Sequence, residues 1–144
     1  MSALDKIPIQ IEASATTGPY HRNTLPLLHE IAHALRRFQA EGNSTTLDLG
    51  AIPFGPGDEQ RLLDFLGTGE VSAKLDAMGD TNIWESDYAG VWIIEHKNAS
   101  GERVAFQIEI TKLPAILETQ PEDIEESLIK LQEALENPKT GVFV

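Results

Sequence analysis

Leu28, Ile31, Leu35 and Phe38 recur at helical spacing, and this apolar stripe predicts the first helix of the chain. Asn23 or Thr24 is the expected N-cap. Pro26 falls in the first turn, where a missing N–H costs little, and Gly42 is the expected stop. Upstream, Ile7, Ile9 and Ile11 alternate with Pro8, Gln10 and Glu12. That pattern predicts an edge strand or an ordered arm, because Pro8 has no N–H to give a ladder. Residues 14–23, rich in Thr, Gly and Pro, read as loop. Beyond Gly42 a short β-type run covers residues 45–49, and Pro53, Gly55, Pro56 and Gly57 mark a turn. Asp58 then caps a second helix of about two turns that buries Leu62, Leu63 and Leu66.

From Glu70 the period changes to two. Val71, Ala73 and Leu75 face one way, and Glu70, Ser72, Lys74 and Asp76 the other, as in a half-buried strand. A turn at residues 78–80 leads to a second strand over residues 81–86, and Gly90 opens a third over residues 91–96. The polar link Asn98-Ala99-Ser100-Gly101 joins it as a hairpin to a fourth strand over residues 103–111. Val104, Phe106, Ile108 and Ile110 supply that strand's core face. Neighbouring strands on short links imply an antiparallel sheet with one face open to water. After Pro114, Thr119-Gln120-Pro121-Glu122 has capping-box spacing, with Thr119 as N-cap. Glu122, Asp123, Glu125 and Glu126 suit the positive end of the helix dipole. Ile124, Leu128, Leu131 and Leu135 form the apolar stripe of this last helix, and Pro138 ends it. The pattern predicts an α+β fold: an antiparallel or mixed sheet of about four to five strands packed with about three helices, helices at both ends of the chain. Residues 1–23 form an arm and residues 24–144 a single domain.

Composition narrows the function classes. None of the 144 residues is cysteine, which excludes disulfides, thiolate zinc sites, cysteine-ligated clusters and cysteine nucleophiles within this chain. The net charge is −12, a field that repels phosphate backbones and anionic lipid, so neither nucleic acid nor membrane is an expected partner. No segment approaches the roughly 20 apolar residues of a membrane helix, and MSALDKIPIQIE lacks the basic start and apolar run of a signal peptide. A cytoplasmic location is the expectation.

The most conspicuous motif is His29-Glu30-Ile31-Ala32-His33, which matches H-E-x-x-H, two histidines one helical turn apart with a glutamate as general base. It sits on a predicted helix, as zinc peptidases require. A third protein ligand is missing, since ALRRFQAEG after His33 supplies neither a glycine turn nor a third histidine. Helical geometry also opposes the motif. With Leu28 at 0° the predicted apolar stripe centres near −40°, and His33 falls at about 140°, almost opposite. A metal-binding protein or metallohydrolase using His29, Glu30 and His33 is therefore the alternative, not the favoured reading. Gly67-Thr68-Gly69 is too short for a phosphate loop and is expected to turn the chain from helix into strand. No G-x-S-x-G elbow is present, and Glu85, Asp87, Glu95 and Glu109 do not define an acid–base pair. No catalytic, cofactor-binding or metal site is assigned. Trp84 and Trp92 are foremost core candidates, being costly to expose, yet tryptophan is also a frequent interface anchor. Trp84, Glu85 and Trp92 are thus the expected partner-binding residues, on the outer sheet face.

The series LLHEIAHAL, LDLGAIPFGPGDEQRLLDFLGTGEVSAKL, IWESDYAGVWIIEH and IEITKLPAIL resembles the HupH/HyaF family of NiFe-hydrogenase expression proteins. The likeness runs from about Leu25 to the C-terminal helix. Its most specific pieces are Gly69-Glu70-Val71-Ser72, the segment from Glu85 to Gly90-Val91-Trp92, and Ile108-Glu109-Ile110 followed by Pro114. The resemblance implies a non-enzymatic accessory or chaperone role in hydrogenase maturation. It implies binding to the immature small subunit, with protection or assistance of its iron–sulfur clusters, and other maturation proteins as further partners. The family supplies no catalytic residues to carry over. Many members are about twice this length and carry the unit twice, so a homodimer that recreates the pair and a stand-alone module are both open.

Overall fold

The computed structural model describes residues 24–137, so the Ile7–Ile9–Ile11 pattern and Pro138 lie outside the described residues. The chain divides into two compact units, the first ending at Lys112 and the second beginning at Leu113.

In the first unit, α1 (Thr24–Glu41) begins at the expected threonine. It stops where Gly42 takes φ +78° and donates its N–H to the Phe38 carbonyl at 2.8 Å. Its buried residues are Thr24, Leu27, Ile31 and Ala34, whereas Leu28, Leu35 and Phe38 are only half-buried. The core-facing line is therefore rotated by about 40° from the predicted stripe. Strand β1 (Thr45–Asp48) follows, and then a short 3₁₀ turn at Leu49–Ala51, capped by Asp48 Oδ1 accepting from the Gly50 N–H at 2.9 Å. Helix α2 (Asp58–Leu66) buries Leu62 and Leu66. The cap residue is Gly57 in the left-handed region. Asp58 itself lies inside the first turn, fully buried, accepting from the Gly55 N–H at 3.0 Å and from Arg61 at 3.3 Å.

Four further strands complete the sheet: β2 (Ser72–Asp76), β3 (Asp80–Glu85), β4 (Val91–Lys97) and β5 (Arg103–Ile110). The order is β1-β5-β4-β3-β2 and every pairing is antiparallel. The α+β class, the three helices and the antiparallel sheet of the sequence reading are all present. The β4–β5 hairpin is closed by Asn98, whose Oδ1 accepts from the Ser100 and Glu102 N–H groups at 2.9 and 3.0 Å.

The sheet does not leave one face to water. Val91, Trp92, Ile93 and Ile94 are successive residues of β4 and all are buried, at 0, 3, 0 and 6% exposure. Successive residues of a strand point to opposite faces, so both faces of the central strand are dry. The run Val-Trp-Ile-Ile does not alternate, which is the pattern of a strand buried on both sides. Alternation survives in the edge strand β2, where Ala73 and Leu75 are half-buried between exposed neighbours. Val71 and Val104, expected on core faces, are 47 and 56% exposed.

The second unit begins with a 3₁₀ turn (Ala115–Leu117) and carries α3 (Pro121–Glu136). The N-cap is Gln120, not Thr119, and no side chain caps the helix. Gln120 precedes Pro121, whose ring drives it out of the helical region to φ −79°, ψ 147°, so the helix starts one residue late for a capping box. Pro121 occupies the first helical position, with Glu122 and Asp123 beside it at the positive end of the dipole. The predicted stripe forms but is not buried. Ile124, Leu128, Leu131 and Leu135 are each between 55 and 58% exposed.

Candidate docking groove

The glycine connection after α2 lies directly against the β3–β4 loop. Gly67 N–H donates to the Leu63 carbonyl at 2.9 Å and ends the helix with φ +71°. Gly69 N–H donates to the Glu85 carbonyl at 2.6 Å, Glu85 N–H to the Val71 carbonyl at 2.9 Å, and Asp87 N–H to the Leu66 carbonyl at 2.8 Å. The approach is close enough to demand glycine. A Cβ on Gly69 would stand 2.6 Å from the Ser86 carbonyl oxygen, and one on Gly67 would overlap the Asp87 carboxylate. Gly67-Thr68-Gly69 thus turns the chain as expected, and it also clamps residues 85–87.

The loop over residues 86–90 is braced by its own hydrogen bonds. Glu85 Oε2 accepts from the Gly90 N–H at 3.1 Å. Buried Ser86 uses its hydroxyl twice, accepting from the Tyr88 N–H and donating to the Tyr88 carbonyl, both at 3.0 Å. The Val91 N–H donates to the Tyr88 carbonyl at 3.0 Å. This loop holds Tyr88 outward, where its ring stacks on Phe65 of α2 with centroids 5.8 Å apart and 11° between planes. Neither ring is tucked away: Phe65 is 55% and Tyr88 45% exposed.

Together these rings form one wall of an apolar groove of about 320 Å³. Leu25, Leu28, Ala32 and Leu35 of α1 form the opposite wall, Ile31 and Leu66 reach its floor, and His29 stands on its lip. With Leu28 at 0°, these α1 wall residues fall between about −20° and 60°, while the buried residues centre near −80°. One helix thus carries two apolar surfaces side by side, one sealed in the core and one open.

Sequence reasoning did not select Phe65, Tyr88, Leu25 or Ala32. The available signal was the width of the α1 arc. Counting Leu25, Leu27, Ala32 and Ala34 with the four predicted residues, apolar positions cover about 180°, well beyond the ~100° that a core-facing helix needs.

The structure brings Glu85 beside Trp92 on one face of the sheet and sets Trp84 on the other. The register pairs Trp84 with Ile93 and Glu85 with Trp92, so the two tryptophans lie on opposite faces of the sheet. Trp92 is buried and its Nε1–H donates to the Thr111 carbonyl at 3.1 Å. Trp84 is half-buried against the core and lines a shallow polar basin with Ser72, Lys74, Asn82 and Glu95. Glu85, through Gly90, braces the loop that carries Tyr88.

His29 and His33 are both exposed, and the His33 Nδ1 lies 3.5 Å from an Arg36 guanidinium nitrogen. Among the described residues no three His, Asp or Glu side chains gather as a metal site. Among the described residues the shortest ion pair lies elsewhere. Arg103 at the start of β5 donates both guanidinium arms to Glu59 of α2 at 2.8 Å, approaches Glu95 at 3.7 Å, and lies 4.2 Å over the Phe106 ring. The hydrogen bond from Arg103 holds the Glu59 carboxyl below its ordinary value, and Glu59 in turn raises Arg103. Among the described residues no helix is long and apolar enough to cross a membrane.

Residues 22–137 match the family model described as HupH hydrogenase expression protein, C-terminal conserved region. The hydrogenase expression/formation protein HoxQ of Azotobacter vinelandii is 28% identical over 116 residues, covering 79% of this chain and 41% of that protein. HupQ of Azotobacter chroococcum mcd 1, of the same description, is 26% identical over 116 residues with the same coverage. The chain therefore spans less than half the length of these curated relatives. Among solved structures, the hydrogenase expression protein HupH from Thiobacillus denitrificans ATCC 25259 superposes with a TM-score of 0.77 at 36% identity, covering 79% of this chain and 95% of that one. The match takes in α1, the whole sheet and α3, and the chain belongs to the HupH hydrogenase expression protein family through its C-terminal conserved region.

Proposed function

We propose that this chain is a non-enzymatic accessory protein of hydrogenase maturation that holds the immature small, iron–sulfur subunit, and that the α1–α2 groove is its docking surface. Family membership supports the maturation role. The observation that carries the surface is the Phe65–Tyr88 pair, stacked, about half exposed, and fixed at the edge of an apolar groove by a braced loop. Burying a large apolar side chain is worth roughly 1.5–3 kcal/mol, so Leu25, Phe65 and Tyr88 together offer a partner a substantial hydrophobic contact. With no cysteine the chain has no thiolate to hold a cluster, so holding a client suits it better than cluster donation. In this reading Trp84 and Trp92 are scaffold, and Glu85 serves the surface from behind through the Gly90 N–H.

The test is co-purification from hydrogenase-expressing cells, comparing the wild-type chain with Ala32→Trp, which fills the groove from an exposed helical position. Enrichment of the small-subunit precursor with wild type, lost with Ala32→Trp, is the expected result. Equal enrichment with both removes the groove from the proposal. An unrelated partner enriched in place of the precursor removes the function.

A further inference from the structure

We infer that the groove takes a cationic amphipathic helix of its partner, with two or three apolar side chains inserted and basic residues toward Asp64 and Asp87. This rests on the docking reading above and specifies the element that docks.

Backbone chemistry selects a helix. The walls are side chains of α1 and α2 together with Tyr88, and the two helices spend their main-chain groups on themselves. An extended peptide laid there would surrender water from its N–H and C=O groups and find no strand edge to replace it. A helix brings its backbone already satisfied. Dimensions agree: from Leu25 to Leu35 the groove follows α1 for about 15 Å, close to three helical turns. A volume of about 320 Å³ accommodates two or three leucine-sized side chains. Ala32 midway along the wall leaves room for close approach.

Charge selects the sign. Asp64, which accepts from Gln60 Nε2 at 2.8 Å, and Asp87 are exposed and immediately precede the wall residues Phe65 and Tyr88 in the chain. On the α1 side the polar neighbours are His29 on the lip and Arg36 one turn beyond Ala32, so positive residues on the partner helix belong on the aromatic side. The net charge of −12 adds long-range attraction for a cationic segment.

The full chain is titrated by fluorescence anisotropy with a labelled Leu/Lys peptide of roughly 16 residues whose leucines recur at i, i+3, i+4 and i+7. Three control peptides replace lysine with glutamate, replace leucine with serine, or place proline at the centre. Saturable binding is expected, at least tenfold weaker for each control and for Ala32→Trp, and about threefold weaker for Asp64→Asn with Asp87→Asn. Circular dichroism confirms that each protein variant is folded. Undiminished binding to Ala32→Trp, or by the proline or serine peptide, overturns the inference as mere charge attraction, as does no binding at all. A photo-crosslinker at Phe65 that captures residues 1–23 of the chain itself, or a second copy, instead of the peptide also overturns it. If the small-subunit precursor still co-purifies in a groove-dependent manner while the peptide fails, the docking reading stands and the helix does not.

Discussion

Gly69→Ala tests the contact on which the groove's aromatic wall depends. Gly69 is not held at a positive φ, so the substitution imposes no left-handed strain, and its effect is one of space. The new methyl would meet the Ser86 carbonyl oxygen at 2.6 Å and the Glu85 carbonyl oxygen at 3.1 Å, both backbone atoms that cannot swing aside. Ordinary contact lies about 0.8 Å farther out than the shorter of these, so the chain at residues 85–86 must retreat or the connection must bow away. Overpacking of this kind costs about 1–3 kcal/mol, and weakening the 2.6 Å bond from Gly69 N–H to the Glu85 carbonyl adds about 1 kcal/mol. A loss of about 3 kcal/mol corresponds to a fall of roughly 6–12 °C in Tm for a chain of this size. The assay is urea unfolding followed by tryptophan fluorescence, with Gly42→Ala as control. Gly42 has φ +78° and no atom within 4 Å of the point where a methyl would stand, so only backbone strain of about 1 kcal/mol is expected there. Because residues 85–87 anchor the Tyr88 loop, Gly69→Ala should also weaken partner capture, which Gly42→Ala should leave intact. A Gly69→Ala midpoint within about 0.5 kcal/mol of wild type would refute the argument that this close approach holds the loop.

Three further outcomes follow from the same geometry. Trp92→Phe strips the Thr111 carbonyl of its indole donor and leaves a gap in a dry site, at a cost of about 2–3 kcal/mol in denaturant unfolding, whereas Trp84→Phe, at a half-buried site, should cost clearly less. Glu59 has its carboxyl lowered by Arg103, so its contribution is fully present above the ordinary carboxylate range and is lost as pH falls through that range toward the depressed value. Glu59→Gln should therefore reduce stability at pH 7 by at most about 1 kcal/mol, since the pair is more than a third exposed on the arginine side, and the difference from wild type should vanish in acid. His29→Ala with His33→Ala should shift the midpoint by less than about 0.5 kcal/mol, both side chains being exposed. Elemental analysis that finds stoichiometric zinc or nickel in the wild type, absent from that double variant, would reinstate the metal reading.

Where a single interaction sets the local structure, the sequence was legible. Period-two runs located β2 and β5, the turn at residues 78–80 and Gly90 announced β3 and β4, Gly42 marked the end of α1, and Asn98 to Gly101 marked the hairpin, because alternation and turn chemistry are local. Pro121 was legible in principle as well. Its effect on Gln120 outranks the capping-box spacing of Thr119 and Glu122, because a steric exclusion at one residue defeats a hydrogen bond worth about 1 kcal/mol. The openness of the sheet was misjudged for a related reason. Short links between neighbouring strands imply an antiparallel sheet but do not decide whether its second face is covered, and the unbroken apolar run Val91 to Ile94 carries that information.

The site was least legible because it comes from surplus, not from a motif. His29-Glu30-x-x-His33 attracts notice as chemistry, yet helix rotation puts both imidazoles in water, and the residues that matter on α1 are the ordinary leucines beside them. An apolar arc of about 180° cannot be filled by one core, and the excess has to face something. In α1 it faces the Phe65–Tyr88 wall, which is positioned through the Gly67–Gly69 clamp and the Glu85 brace. Those two segments are the same pieces that carry the family likeness, Gly69-Glu70-Val71-Ser72 and the run from Glu85 to Trp92. Their likeness thus has a physical content: the glycines permit backbone contact, Ser86 and Glu85 saturate the loop, Trp92 fixes its return to the sheet, and the outcome is a tyrosine held at a groove. A docking surface assembled in this way needs no chemically reactive residue, and for that reason no search for reactive residues could have found it.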